Sequence, residues 1–196
     1  MVNIKQPESL MPEYFDALYA IKPDYWEFET RDYERDKYAD TLRSLPRPHY
    51  RNVFEIGCSI GVLTAALAAR CEALLAVDGS EAPLETARAR CADLPQVQLA
   101  QMLVPATFPD GPFDLILVSE VGYYWSPADF AHAQARILDT LEPGGQLMLV
   151  HWTAPEPDYP LTGDEVHDAF LALPGLRHLH GHREAQYRLD VLERTP

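Results

Sequence analysis

The segment Val53-Phe-Glu-Ile-Gly-Cys-Ser-Ile-Gly runs an apolar stretch into two glycines, Gly57 and Gly61, with an acid, Glu55, two positions before the first. Such a turn can hold a ligand against bare backbone, because glycine tolerates positive φ and brings no side chain. A pyrophosphate cradle of the dinucleotide type needs glycines two residues apart, and position 59 is Ser. Glu55 argues the same way, since a carboxylate beside the turn repels phosphate and suits an ammonium. A second acid, Asp78, ends the run Leu74-Leu-Ala-Val-Asp, and open parallel sheets present ligand-binding groups at such strand ends. A carboxylate there can accept both hydroxyls of a ribose; the competing role is a cap for a helix starting near Ala82.

Together these residues outline a nucleoside with a positively charged tail, and S-adenosylmethionine (SAM) fits that outline. A second group follows later in the chain. Glu120, Tyr123 and Tyr124 come directly after the apolar run Leu115–Ser119, and His151 ends another run. A carboxylate there must find a partner or lose solvation at a cost. Glu120 could hold an ammonium, and a histidine of ordinary pKa, about 6.5, could take its proton at neutral pH, with Tyr124 next in line. The competing reading is packing, since aromatic side chains dominate cores. His178, His180 and His182 alternate along one strand face without an accompanying carboxylate or cysteine motif, so no metal site is expected.

Short apolar runs separated by helical stretches must position these groups, the pattern of strands joined by crossover helices. Strands are expected at Asn52–Ile56, Ala73–Val77, Val97–Gln101, Leu115–Ser119 and Gln146–His151, with helices at Ile60–Arg70, Ala82–Ala92 and Ala128–Leu141. The turn Glu142-Pro-Gly-Gly should separate the last helix from its strand. A helix at Gly163–Leu173 and two antiparallel strands, Leu176–His182 and Ala185–Glu193, close the chain. Two helices open it, Ser9–Ala20, with Tyr14, Leu18 and Ile21 on one stripe, and Arg31–Leu45. The expected fold is a doubly wound α/β domain with a seven-stranded sheet, mostly parallel, an antiparallel hairpin at one edge, and an N-terminal helical lid. One domain over 1–196 is expected, with a cap at 1–48, a SAM-binding core at 49–152 and a C-terminal helix with edge strands at 153–196.

Composition narrows the partners. The 196 residues carry 16 Lys+Arg against 30 Asp+Glu, a formal charge of −14, with lysine only at Lys5, Lys22 and Lys37. Nucleic acid is therefore disfavoured and a cationic or neutral small molecule favoured. Apolar runs fall short of the roughly 18 residues a membrane helix needs, and Met1–Pro12 lacks a secretory pattern, so a cytoplasmic location is expected. Cys58, Cys71 and Cys91 are odd in number without a C-x-x-C pair, which points to buried small residues.

In this order, Glu55-x-Gly57-x-x-x-Gly61, Asp78, Phe113-Asp-Leu-Ile and Leu141-Glu-Pro-Gly-Gly resemble the class I SAM-dependent methyltransferases over about Arg51 to Trp152. More narrowly, Tyr33-Glu-Arg-Asp-Lys-Tyr, Glu55-Ile-Gly-Cys-Ser-Ile-Gly-Val-Leu-Thr and Ser119-Glu-Val-Gly-Tyr-Tyr resemble the nodulation N-methyltransferase NodS family, which methylates an amino sugar. The resemblance implies a Rossmann-like fold, SAM as cofactor with S-adenosylhomocysteine as product, and a small-molecule acceptor. It implies a cofactor set of Glu55, Gly57, Cys58, Ser59, Gly61, Asp78, Gly79 and Ser119. It also places Gln101, Met102 and Leu103 beside the adenine and makes Trp26 and Arg31 part of a lid. Glu120, Tyr124 and His151 are the candidate catalytic groups. Two positions depart from the family pattern: Gly122 replaces a larger apolar residue, and Gln101-Met102 replaces an acidic pair. Methyl transfer to an amine is the expected activity; transfer to oxygen, or SAM binding without turnover, stays open at this level.

Overall fold

The computed structural model describes residues 8–154 and 156–196. The seven strands follow the order β3-β2-β1-β4-β5-β7-β6, the expected seven-stranded mixed sheet. The described residues divide into two compact units, Met11–Leu103 and Val104–Pro196 with residues 8–10.

In the first unit, α1 (Pro12–Ile21) and α2 (Asp32–Arg43) precede β1 (Tyr50–Ile56), α3 (Val62–Leu67), β2 (Cys71–Asp78), α4 (Glu81–Arg90) and β3 (Val97–Gln101). β1 pairs with β2 and β2 with β3, all parallel. Val53 and Phe54 are adjacent and both fully buried, so β1 is covered on both faces, as a crossover topology requires. Pro at the start of α1 suits a first helical turn, and Asp24 receives the N–H groups of Phe28 and Glu29 at 2.8 and 3.1 Å, which shapes the link to α2. The stripe expected on α1 is corrected. Tyr14 and Ile21 are 38% and 73% exposed, whereas Tyr19 is buried. Of the expected stripe only Leu18 is half-buried, and the other partly covered positions are Pro12 and Phe15, beside the buried Tyr19.

In the second unit, β4 (Phe113–Ser119), α5 (Pro127–Thr140), β5 (Leu141–Trp152), α6 (Gly163–Leu171), β6 (Leu176–Arg183) and β7 (Tyr187–Arg194) follow in turn. β4 and β5 are parallel, β7 runs antiparallel to β5, and β6 pairs outside β7, giving the expected edge hairpin. Ser126 caps α5 by accepting Asp129 N–H, and Thr162 with Glu165 forms a complete capping box on α6. Glu142–Gly145 does not separate helix from strand. α5 passes straight into β5 at Leu141, and the four residues form an irregularity inside the strand, where pairing moves from Phe113↔Leu141 to Leu115↔Gln146. Among the described residues no helix is long and apolar enough to cross a membrane.

Candidate cofactor and acceptor residues

The β1–α3 turn carries three positive φ angles in five residues, Gly57 at 82°, Ser59 at 48° and Gly61 at 77°. Its amides are already used within the protein. Gly57 N–H and Cys58 N–H both donate to Val77 O, at 2.8 and 2.9 Å, and Gly61 N–H donates to Cys58 O at 2.9 Å. Ser59 N–H donates to Asp78 Oδ2 at 2.9 Å. A phosphate cradle needs such donors free; here they are consumed, and two acids border the turn. Gly61 has a packing role as well, because a Cβ there would lie 2.9 Å from Ala87 Cβ on α4. Cys58 is buried and its thiol is pushed well above the usual range by burial, with Asp78 adding to the effect, so it is no nucleophile.

Asp78 does not cap α4 in the expected manner. Ser80 occupies the N-cap position, and Asp78 Oδ1 accepts the N–H of Ser80 itself at 2.9 Å. The carboxylate thus ties the glycine turn to the start of α4 while each oxygen keeps a lone pair for another donor. Burial raises its pKa, and the backbone bonds from Ser80 and Ser59 oppose that. Glu55 is 2% exposed. Its Oε2 and the Thr64 hydroxyl are both buried without a hydrogen-bond partner. Burial pushes the Glu55 carboxyl up to about 7, the nearby Thr64 hydroxyl opposes this, and Asp78 adds to it. An acid held that high is poorly stabilised in its ionised form, so the residues fit a ligand bearing hydroxyls and an ammonium.

Helix α1 reaches the same turn. Tyr19 OH lies 2.6 Å from Ser59 Oγ, and Ser80 Oγ donates to Asp16. Trp26 packs edge-on against Tyr19 and stacks with Phe28 at 5.6 Å, so it acts on the turn through Tyr19. Arg31 sits at the N-cap of α2 with its guanidinium 5.6 Å from the Tyr33 ring. Beyond β2, Met102 N–H donates to Asp78 O at 2.8 Å and Gln101 Nε2 to Gly79 O at 3.1 Å. A Cβ on Gly79 would meet Leu103 and Pro12, each at 3.7 Å. Those side chains make an apolar surface just past Asp78. Tyr19 and Asp16 escaped sequence reading because no local spacing marks them and only the fold brings them to the turn; Thr64 ends the quoted glycine motif, but nothing local shows that its hydroxyl faces Glu55.

Ser119 and the candidate catalytic residues belong to the second unit. Ser119 ends β4, paired with Val150. Glu120 adopts a φ of 56°, and its Oε2 accepts Tyr123 OH at 2.5 Å and Trp152 N–H at 2.8 Å. Tyr123 stacks on Tyr159 with ring centroids 5.1 Å apart, and Tyr124 meets both edge-on. Burial pushes the Tyr124 phenol well above its usual range, with Tyr159 reinforcing the shift, which disfavours it as a base.

The placement of His151, the candidate base, weighs against that role. The side chain is fully buried. Its Nε2 accepts Gly122 N–H at 3.1 Å, and its Nδ1 lies 3.1 Å from His167 Nε2. Both ring nitrogens are therefore committed inside the protein, and a base must reach the proton it removes. His167, on α6, continues to Asp190 Oδ2 on β7 at 2.7 Å. Sixteen residues separate the two histidines, so only tertiary structure reveals the connection. Among the described residues no group of three or more His, Cys, Asp or Glu could hold a metal.

A family model for the methyltransferase domain matches residues 53–145. Nodulation protein S of Rhizobium tropici is 31% identical over 127 residues, covering 64% of this chain and 53% of that protein. Nodulation protein S of Bradyrhizobium diazoefficiens is 32% identical over 116 residues, covering 59% of this chain and 56% of that protein. The chain thus spans about half the length of the curated relatives it matches. A solved structure of a proposed methyltransferase from Pseudomonas syringae is 39% identical with a TM-score of 0.73, covering 84% of this chain and 100% of that one. The N-methyltransferase NodS from Bradyrhizobium japonicum, in complex with S-adenosylhomocysteine, has a TM-score of 0.83 at 22% identity, covering 93% of this chain and 97% of that one. This last likeness shows a shared fold.

Proposed function

This chain belongs to the SAM-dependent methyltransferase family, and from that premise we propose that it transfers the methyl group of SAM to the amine of a small acceptor. One observation carries the cofactor half: the amides at 57, 58, 59 and 61 are spent on internal bonds, while two acids, the buried Glu55 and the half-buried Asp78, border the turn. Such a site repels phosphate and suits a nucleoside with a cationic tail. Asp78 has lone pairs for the ribose hydroxyls, Glu55 suits the ammonium, and Leu103, Met102 and Pro12 offer apolar surface to the adenine. When bound, SAM supplies a methyl group already activated by its sulfonium. The protein's task is then chiefly alignment, which can lower a barrier by roughly 7–11 kcal/mol.

For the acceptor half, Glu120 is the residue we assign to the incoming amine. A bare carboxylate would stabilise the ammonium and hinder the deprotonation that transfer needs. The Tyr123 hydroxyl and Trp152 N–H take up part of that charge, which moderates the hold. With His151 committed to internal bonds, the amine proton passes to solvent and not to a buried ring. The nodulation N-methyltransferase relatives support nitrogen as the acceptor atom.

The test is a screen of amino sugars, small amines and phenols with methyl-labelled SAM, the products identified by mass spectrometry. Label on nitrogen supports the reading. Label confined to phenolic oxygen overturns the amine assignment, and SAM binding without label transfer throughout the screen identifies a binding protein.

A further inference from the structure

Three buried groups outside the cofactor turn form a connected chain that the methyl-transfer reading does not use. Gly122 N–H occupies His151 Nε2, so the neutral ring must carry its proton on Nδ1. That proton is donated to His167 Nε2, and the remaining His167 proton, on Nδ1, is donated to Asp190. His151 and His167 are fully buried and Asp190 is 4% exposed. Gly122 explains why the chain can close. A Cβ at that position would lie 2.9 Å from His151 Nε2 and 2.8 Å from Val166, so a larger residue would displace the ring.

We infer that His151, His167 and Asp190 form a buried positioning relay that fixes the Glu120–Tyr124 turn by presenting an acceptor to the Gly122 amide. Gly122 opens the short helical turn whose next residue, Tyr123, holds Glu120. The importance of the relay for acceptor binding rests on the proposed role of Glu120; its existence does not. Protonation should release the turn. A second proton on His167 turns its Nε2 into a donor facing His151 Nδ1–H. His151 must then switch tautomer, which sets an N–H against that of Gly122.

The groups around the relay determine where this happens. His151 meets the Tyr123 ring, with centroids 5.4 Å apart, and His167 from α6. Asp190 also receives Arg188 Nε and pairs with His178 on β6, each at 2.8 Å. Arg188 in turn pairs with Asp164 and Asp168 of α6. Burial lowers the His167 pKa from 6.5, with Asp190 opposing. The folded protein therefore binds less proton than the unfolded chain below that value, and the relay's contribution is complete above about pH 6.5 and lost as pH falls.

The experiment uses the full chain with 15N-labelled histidine and backbone. At pH 7.5 both rings should be neutral Nδ1–H tautomers, and the Gly122 amide should be protected from hydrogen exchange. Toward pH 5 the His167 ring and the Gly122 amide should titrate together, with at least about a tenfold loss of protection after correction for intrinsic exchange. In His151→Gln the carboxamide oxygen can accept the same N–H without titrating, so protection should persist and the acid step should vanish. If that variant does not fold, His167→Gln must move the midpoint at Gly122 by about half a pH unit or more. An unshifted Gly122 amide across pH 5 to 7.5, or the same step in every folded variant, overturns the relay. Acceptor KM measured alongside separates the two readings: a KM that rises at acid pH in the wild type and not in His151→Gln supports the positioning role. A flat KM with a titrating Gly122 overturns Glu120 as the acceptor residue and leaves the relay standing.

Discussion

Asp78 Oδ2 accepts the backbone N–H of Ser59 at 2.9 Å, so the carboxylate proposed to hold the ribose also shapes the glycine turn. Its other oxygen holds Ser80 N–H, and under that proposal cofactor affinity and local stability should be coupled. In Asp78→Ala, SAM affinity should fall at least tenfold, since each charge-assisted bond to a ribose hydroxyl contributes about 1.5–3 kcal/mol. The melting temperature should fall as well, because two backbone donors lose their acceptor. Calorimetric titration and a thermal melt check this; full affinity in a folded variant would remove Asp78 from the ribose.

The proposed contact of Glu55 with the ammonium should link cofactor binding to pH. Burial pushes its carboxyl up to about 7, and a cation beside it favours the ionised form. SAM affinity should rise with pH from 6 to 8, approaching tenfold per unit well below 7. Binding near neutral pH should release a proton, seen as a buffer-dependent enthalpy that Glu55→Gln abolishes. The stability of the ligand-free protein should move the other way. The folded pKa lies above the ordinary 4.5, so Glu55's contribution declines as pH rises from about 4.5 to 7. A buffer-independent binding enthalpy would contradict the linkage.

Gly61→Ala should destabilise the fold by about 1–3 kcal/mol, combining strain at positive φ with a 2.9 Å approach to Ala87. Urea denaturation measures the loss. An unchanged midpoint would show that α4 yields freely.

Tyr19→Phe removes the hydroxyl that meets Ser59 at 2.6 Å. A neutral hydrogen bond contributes about 0.5–1.5 kcal/mol net, so SAM should bind roughly two- to tenfold more weakly, mainly through faster release measured by stopped flow. Equal release rates would make α1 a structural cap with no part in retaining the cofactor.

Tyr124→Phe and Glu120→Gln should separate cleanly. A phenol whose pKa burial keeps high is not a base near neutrality, so Tyr124→Phe should keep turnover within about twofold from pH 7 to 9. Glu120→Gln should raise acceptor KM by about tenfold or more with SAM affinity unchanged. Loss of turnover in the phenylalanine variant would restore Tyr124 as a candidate base.

Sequence by itself determined the α/β alternation, the strand that enters the glycine turn, and the pair Glu55 and Asp78, because these signals are local: apolar periodicity, glycine spacing and an acid at a strand end. The edge hairpin was legible for the same reason. Tertiary structure alone decided which face of α1 is covered, that Asp78 bonds Ser59 and Ser80, and that His151 is no exposed base. His151 shows why. A histidine at a strand end reads the same whether its nitrogens face a ligand or the interior. Its partners, Gly122, His167 and through them Asp190, come from a turn, a helix and another strand. Hydrogen-bond satisfaction in the core depends on groups distant in sequence, so no local pattern records it.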